Sequence, residues 1–262
     1  MFVKSKLLKS THAFATRLGG VSVQEHTKEL NLAFGRGDDE QIVLENLEIF
    51  ARKVGFDPKS IVSYHQIHSD IIFEVGCENC GQGYYVREGI PSADGYFTGD
   101  KGVTIGVKSA DCVPILFEAE KEGAVVAVGA VHAGWRGSVK GIASKCVDSI
   151  CKKFQVEPEN IRVAIGPCIG KCCFEVSEDV FLAVKENQGE RAAERYVTKS
   201  LVVQGKYYCD LPALNAYILR NIGIPESNID IIGECTFCNH EKYFSHRYTG
   251  GYRGTMLNII CM

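Results

Sequence analysis

Two histidines and one cysteine of this chain have side chains that could share a metal ion. His68 lies in YHQIHSD, Cys112 in KSADCVPILF and His132 in AVVAVGAVHAGWRG, and each borders an apolar segment of strand-like composition. Two imidazoles and one thiolate are typical of a catalytic zinc site, which leaves a fourth position for water or substrate. Only the fold can unite residues so far apart. Spacing alone leaves open that the histidines are hydrogen-bonded structural residues and the cysteine a small buried hydrophobe.

The segment after His132 predicts an anion site. An apolar strand passes there into an amphipathic helix through AGWRG, with turn residues Gly134 and Gly137. Such a junction exposes free backbone N–H groups and the positive end of the helix dipole. Arg136 lies four residues after His132, so its guanidinium could join these groups in holding phosphate beside a metal.

Composition limits the class of protein. The 262 residues include 29 basic and 32 acidic side chains, for a net charge of −3, which argues against a nucleic-acid-binding surface. No low-complexity linker divides the chain, and no apolar stretch is long enough to span a membrane. The first residues lack the features of a signal peptide. The chain has 12 cysteines, but with this length and so many apolar strands it does not need disulfide bonds to be stable. We therefore expect a single domain with reduced cysteines in the cytoplasm.

The apolar periodicity predicts a layered α/β sandwich with mixed sheets. Helices are expected over 40–54, from 139 to about 155, and over 178–186 and 211–222. Strands are expected over 61–64, 71–75, 102–107, 113–117, 124–131, 161–165, 229–232 and 256–260. The order lacks a strict βαβ rhythm, and no glycine-rich nucleotide-binding motif is present.

Motifs along most of the chain resemble one known family. They are TRLGGVS (16–22), LNLAFGRGDD (30–39), HQIHS (65–69), SADG (92–95), SADCVPIL (109–116), VHAGWRG (131–137), IGPCIGKCCFEV (165–176) and YFSHR (243–247). Together they resemble the laccase-domain or multicopper polyphenol oxidase proteins, now regarded as zinc-dependent purine nucleoside phosphorylases with adenosine deaminase activity. The resemblance implies one such domain over 1–262, a zinc cofactor rather than copper, and purine nucleosides and phosphate as substrates.

The implied chemistry is cleavage of the N-glycosidic bond of adenosine, inosine and S-methyl-5'-thioadenosine by phosphate. The products are the free base and a ribose 1-phosphate. Zinc can activate an oxygen nucleophile and arginine can hold phosphate. A nucleophile of the same kind, directed at the six-position of the purine, would deaminate adenosine.

The resemblance also assigns roles to individual residues. It makes His68, rather than His65, the ligand beside Cys112 and His132; on a strand these two histidines would face opposite ways. It places three further residues around the active site as substrate contacts or catalytic groups: Arg17, Asn31 and Arg136. A structural role remains open for each. Asp111 either orients a ligand histidine or caps a turn.

The remaining cysteines allow more than one interpretation. CENC (77–80) and CTFC (235–238) could form a structural zinc site together, although free thiols in turns are the favoured interpretation. Cys168, Cys172 and Cys173 lie in a glycine- and proline-containing turn and are interpreted as structural or pocket-lining. The tail SHRYTGGYRGTML has Arg253 before Gly254, where the family usually has Gly-Arg, so its substrate contacts stay in doubt.

Two other classes of function remain alternatives. The older family name implies a copper-dependent polyphenol oxidase, but seven histidines without an HxH pair are few for several copper centres. A non-catalytic interaction protein with a structural zinc would need four protein ligands, and the sequence supplies three. The oligomeric state, monomer or homodimer, does not follow from the sequence.

Overall fold

The computed structural model describes residues 1–262, which form fourteen strands and seven α-helices. The strands are β1 (Phe2–Val3), β2 (Thr11–Ala15), β3 (Ile61–Val62), β4 (Ile72–Glu74), β5 (Gly95–Thr98), β6 (Thr104–Ser109), β7 (Val113–Lys121), β8 (Ala124–Ala133), β9 (Ile161–Ile165), β10 (Glu175–Ser177), β11 (Val197–Lys199), β12 (Lys206–Cys209), β13 (Ile229–Ile231) and β14 (Met256–Cys261). The helices are α1 (Glu40–Val54), α2 (Trp135–Val139), α3 (Ile142–Phe154), α4 (Glu178–Gln188), α5 (Glu190–Tyr196), α6 (Leu211–Asn221) and α7 (His246–Thr249).

Two mixed sheets form the centre of the molecule. One has five strands in the order β1-β2-β14-β6-β3, and the other has six in the order β13-β9-β7-β8-β5-β4. Parallel pairs join β3 to β6, β4 to β5 and β13 to β9, whereas the other pairs of these two sheets are antiparallel. A small third sheet has the order β10-β12-β11.

The two large sheets and the helices on their outer faces form four layers. Successive side chains of the strands point alternately into the core between the sheets and into a core under the helices. Phe14, Ile260 and Leu116 belong to a core between the two large sheets. Their neighbours point the other way: Ala13 and Ile259 pack with α1, and Ile115 packs with α3 and α6. This two-residue alternation is expected of strands covered on both faces. The order of layers is therefore α1, five-stranded sheet, six-stranded sheet, and the helices α2 to α6.

The structure confirms the layered α/β sandwich with mixed sheets. The predicted helix 40–54 and strand 161–165 have the observed bounds of α1 and β9. The predicted helix from 139 to about 155 corresponds to α3, which begins three residues later because Gly141, with a φ of 74°, precedes its first residue; the short helix α2 before it was not predicted. Six strands were not predicted: β1, β2, β5, β10, β11 and β12. No helix combines the length and the apolar character needed to cross a membrane.

Candidate metal centre and adjoining cavity

The fold brings His68, Cys112 and His132 together at one edge of the six-stranded sheet. Their potential ligand atoms all lie within 4.8 Å of one another, and Cys112 Sγ lies 3.9 Å from His68 Nε2. Cys112 directly precedes β7 and His132 lies in β8, where it is the register partner of Pro114. Antiparallel pairing thus places the thiol beside the imidazole, and the turn before β4 adds the second imidazole.

His68 lies in a tight turn, not on a strand. Its φ is 59°, and β3 ends at Val62. His65 and His68 therefore do not face opposite ways along a strand, and both residues line the same cavity. Only His68 belongs to the cluster of possible metal ligands.

Asp94 links the two histidines and was missed as a site residue from the sequence. Its buried carboxylate accepts hydrogen bonds from the backbone N–H groups of Ile67 (3.2 Å), His68 (3.1 Å) and Ser69 (2.6 Å). It also accepts one from His132 Nδ1 at 2.8 Å, and the His132 N–H donates to the Asp94 carbonyl at 2.7 Å. A carboxylate on one imidazole nitrogen fixes the ring and leaves the other nitrogen for a metal.

The electrostatics of the cluster favour a thiolate beside a charged imidazole. Burial raises the pKa of the Cys112 thiol, but His132 and His68 outweigh burial and lower that pKa to about 6. Burial lowers the pKa of His132, but the Cys112 thiolate and Asp94 outweigh it and raise that pKa to about 9. Burial raises the pKa of Asp94, but hydrogen bonds from His132 and Ser69 lower it to about 2. Cys112 is therefore ready to act as an anionic ligand at neutral pH.

Gly134 is needed beside the cluster. A Cβ atom at this position would lie 3.0 Å from His68 Cδ2 and 3.4 Å from Cys112 Sγ. A side chain there would push the His68 ring a few tenths of an ångström from its position beside Cys112. The glycine predicted as a turn residue therefore serves the site through its lack of a side chain.

The depressed pKa of Cys112 predicts its reactivity in metal-stripped protein. Alkylation of Cys112 by iodoacetamide should rise with pH through a midpoint near pH 6, because the thiolate is the nucleophile and predominates above the pKa of about 6. Mass spectrometry of the Cys112 peptide measures the rate, and zinc-loaded protein is the control, in which Cys112 should be protected. A midpoint near pH 9, the ordinary value for a thiol, would contradict the ion pair with His132.

A cavity of about 620 Å³ opens beside the three residues. Its volume lies within the usual range for small-molecule sites. The lining includes the three possible ligands, four cationic side chains and several apolar or aromatic ones: His68, Cys112, His132, Arg36, Arg87, Lys108, Arg253, Leu32, Phe34, Tyr84 and Ile90. A site with this lining can hold a ligand that carries both an anionic group and an aromatic ring.

Arg253 is the cation of the cavity that most clearly lacks a negatively charged partner. It forms no ion pair with a carboxylate, and its buried Nε has no hydrogen-bond partner. Its Nη1 donates to Thr255 Oγ1 and to the Gly254 carbonyl. Burial and then the charge of Arg36 lower the pKa of Arg253 to about 10. The guanidinium groups of Arg36 and Arg253 both line this cavity without a carboxylate partner, and such a pair is suited to bind phosphate.

Lys108 is a further cation of the cavity. Its Nζ donates to Ser63 Oγ at 2.8 Å and to the Ser63 carbonyl at 3.2 Å. Burial lowers the pKa of this ammonium group to about 8. Lys108 is therefore charged at neutral pH and adds to the positive potential of the cavity.

The structure places Arg136 and Arg17 outside this cavity. Arg136 is exposed at the start of α2, with its guanidinium 4.3 Å from the centre of the Trp135 ring. Arg17 donates to the His240 carbonyl at 3.1 Å and lies 4.7 Å from the centre of the Phe244 ring. Arg17 lines a neighbouring cavity of about 730 Å³, whose wall it shares with Arg253.

Asn31 and Asp111 support the cavity from behind. The buried Asn31 amide accepts hydrogen bonds from the Ala33 and Thr255 N–H groups and donates to Asp38. Asp111 accepts hydrogen bonds from Thr236 Oγ1 and from the backbone N–H of Arg247, both at 2.6 Å. Of the two roles considered for Asp111, the structure thus shows the turn-holding one, while Asp94 orients His132.

Comparisons with known proteins show which family the chain belongs to. Residues 11–262 match the family model for multi-copper polyphenol oxidoreductase laccase. The chain is 34% identical over 232 residues to a purine nucleoside phosphorylase YlmD of Geobacillus stearothermophilus, covering 88% of this chain and 82% of that protein. It is 32% identical over 251 residues to an adenosine deaminase RL5 of an unknown prokaryotic organism, covering 94% of this chain and 92% of that protein. The crystal structure of YlmD from Geobacillus stearothermophilus superimposes with a TM-score of 0.88 at 30% identity, covering 99% of this chain and 98% of that one.

Proposed function

Because the chain belongs to the multi-copper polyphenol oxidoreductase laccase family, whose similar members include named purine nucleoside phosphorylases and an adenosine deaminase, we propose that it is an enzyme with both activities. It cleaves purine nucleosides with phosphate, yielding the free base and ribose 1-phosphate, and it also deaminates adenosine. The proposed substrates are adenosine, inosine and S-methyl-5'-thioadenosine. The catalytic unit is one domain over 1–262.

The observation that carries this proposal is the position of the ligand trio on the wall of a cation-lined cavity. A thiolate, two imidazoles and an orienting carboxylate on His132 suit zinc, which binds sulfur and nitrogen. We therefore propose His68, Cys112 and His132 as the ligands of one zinc ion. When bound there, the ion supplies Lewis acidity that activates an oxygen nucleophile.

The residues of the chain provide the rest of the proposed mechanism. Asp94 keeps Nε2 of His132 directed at the thiol of Cys112, so the ligand set is formed before substrate arrives. Arg253 and Arg36 hold phosphate through charge-assisted hydrogen bonds, and Lys108 adds a third positive charge. Held in this way, phosphate lies next to the ribose, which removes much of the entropic cost of bringing two substrates together.

The apolar wall of the cavity suits the purine. Phe34 and Tyr84 lie with ring centres 5.6 Å apart, and Leu32 and Ile90 complete this side. Aromatic rings contribute large contact areas and favour stacking with a flat heterocycle. We propose that the base packs here while the ribose and phosphate face the cations.

The ligand inventory argues against the copper oxidase that the family name implies. A multicopper oxidase needs several histidine-rich centres. Only two groups of side chains could hold a metal, and only the first of them, the trio, contains histidines, of which it has two. The second group consists of cysteines alone. Oxidation of a phenol by the copper-loaded protein at a rate above that of nucleoside cleavage would favour the alternative.

Product analysis with adenosine tests both proposed activities. Purified zinc-loaded protein should release adenine only when phosphate is present, because phosphate is the attacking group in that reaction. It should form inosine whether or not phosphate is present, because deamination uses water. Chromatography separates the two products. Failure to form either from adenosine, together with failure to cleave inosine, would overturn the proposal.

Conservative replacement of Arg253 tests phosphate recognition. Arg253→Lys keeps a positive charge but loses the fork of N–H donors, so the KM for phosphate should rise about tenfold while the zinc content stays unchanged. The matched control is Arg136→Lys, whose guanidinium lies over Trp135, and its phosphate KM should equal that of the wild type. Initial rates at varied phosphate concentration measure both. A raised KM in the Arg136 variant alone would return the phosphate site to the start of α2.

A further inference from the structure

Four cysteines from two distant parts of the chain form a second cluster, separate from the catalytic trio. Cys172 and Cys173 lie between β9 and β10, and Cys235 and Cys238 follow β13. All four thiol sulfurs lie within 4.8 Å of one another. Cys238 Sγ is 3.7 Å from Cys172 Sγ and 3.4 Å from Cys173 Sγ. All 12 cysteines of the chain are free thiols.

The pairing of strands explains why these segments meet. β9 and β13 are parallel neighbours, so the segments that follow them leave from the same edge of the sheet. The pairing continues past the strands as a parallel bridge between Cys168 and Cys235. The Cys168 N–H donates to the Glu234 carbonyl at 3.3 Å, and the Thr236 N–H donates to the Cys168 carbonyl at 3.0 Å. The Cys235-x-x-Cys238 pair is thereby placed opposite Cys172 and Cys173.

The arrangement of the sulfurs fits a tetrahedral metal ion. Zinc bound by four thiolates has Zn–S distances of about 2.3 Å, which separates the sulfurs by about 3.8 Å. The two closest distances at Cys238 are near this value. The Gly170 N–H also donates to Cys235 Sγ at 3.2 Å, a contact that orients a metal-binding thiolate. Four soft sulfur donors and no carboxylate favour zinc over a hard cation such as magnesium or calcium.

The cluster is connected to the catalytic cysteine by a short series of hydrogen bonds. Thr236, next to Cys235, donates its hydroxyl proton to the Asp111 carboxylate at 2.6 Å. The Ile169 N–H donates to the Asp111 carbonyl at 2.8 Å. Asp111 has a φ of 96°, which a residue with a side chain adopts only when its surroundings hold it there. The next residue is Cys112, so the two cysteine-bearing segments hold the turn from which the catalytic thiol projects.

We propose that Cys172, Cys173, Cys235 and Cys238 bind a structural zinc ion that clamps these two segments and supports the Asp111-Cys112 turn. The site is closed, with four protein ligands, whereas the catalytic trio leaves a position open. Its role is to position Cys112, and it has no contact with substrate. CENC takes no part, because Cys77 and Cys80 lie outside the cluster.

Metal counting with paired variants tests the two sites separately. Wild-type protein purified under reducing conditions with zinc should hold about two ions per chain. Cys238→Ser and Cys112→Ser should each lose about one, and the double variant should lose both. The matched control Cys77→Ser, at the exposed CENC motif, should keep both. Equal zinc content in Cys238→Ser and wild type would overturn the proposal, whatever the activity assays show.

Cobalt loading of the Cys112→Ser variant tests the cluster without altering it. This variant lacks a catalytic ligand but keeps all four cysteines, so bound Co²⁺ should show the strong visible absorption of a tetrahedral tetrathiolate site. Absence of that absorption would overturn the proposal. So would a disulfide between Cys173 and Cys238 in protein purified without oxygen, detected by mass spectrometry after alkylation.

Discussion

Replacing Cys112 with alanine should lower phosphorolysis of purine nucleosides by at least about a thousandfold and reduce the zinc content by about one ion per chain. The variant retains only two imidazoles, which bind zinc weakly without the thiolate. Loss of a catalytic metal removes several kcal/mol of transition-state stabilisation, which corresponds to a rate factor on the order of a thousand. Cys112 is only half-buried and belongs to none of the three hydrophobic cores, so the fold should survive.

Cys146→Ala is the matched control for this prediction. Cys146 is a buried thiol in α3 and lies in neither metal cluster. This variant should keep wild-type zinc content and activity, even if it melts at a somewhat lower temperature. Elemental analysis and circular dichroism measure zinc and fold. If the Cys112→Ala protein is folded, holds as much zinc as wild type and turns over inosine normally, Cys112 is not a ligand.

Replacing Asp94 with asparagine should weaken zinc binding and activity about a hundredfold, the upper range for groups that orient metal ligands. Asparagine has one acceptor oxygen, and its NH₂ group would face N–H groups of the His68 turn that the carboxylate now satisfies. It would also remove the negative charge that helps raise the pKa of His132. Both changes loosen the two imidazoles at once.

Competition with a chelator measures the zinc affinity of this variant, and single-turnover assays measure its activity. Asp100→Asn is the matched control, because the Asp100 carboxylate accepts a hydrogen bond from the Cys77 N–H, away from the trio. A purely structural role for Asp94 would lower the melting temperature without changing zinc affinity in the folded protein. That result would contradict the orienting role.

The sequence predicted the layered fold and the ligand trio for different reasons. Apolar periodicity is a local signal, so α1 and β9 were predicted with their observed bounds. The trio was predicted from residue type and family motifs, since its members are far apart in the chain. β5 was missed because Gly95–Thr98 is short and contains a glycine. The start of α3 was predicted three residues too early because the apolar pattern continues across Gly141.

The anion-binding side chains were harder to predict, because their direction depends on exact backbone positions. Arg136 follows the first residue of α2, and at that position it points over Trp135 and away from the cavity. Arg253, in the tail where the family order of glycine and arginine is reversed, nonetheless lines the cavity. Its only sequence signal was the family's arginine near the last strand.

The four-cysteine cluster was also hard to predict, because it depends on the pairing of segments that are far apart in the sequence. Motif symmetry suggested CENC as the partner of CTFC, whereas the parallel pair β9 and β13 brings Cys172 and Cys173 to CTFC instead. Asp94 was missed for a related reason. Its role depends on the turn at His68 and on β8, which are separated from it in sequence and are joined only in the folded sheet.

Phosphorus NMR of inosine cleavage by zinc-loaded, copper-free protein tests the proposed phosphorolysis most directly. Inorganic phosphate should be consumed as hypoxanthine appears, and a ribose 1-phosphate signal should grow in equal amount. Hypoxanthine formed at the same rate without phosphate, with free ribose as the sugar product, would contradict phosphorolysis and make the protein a nucleoside hydrolase.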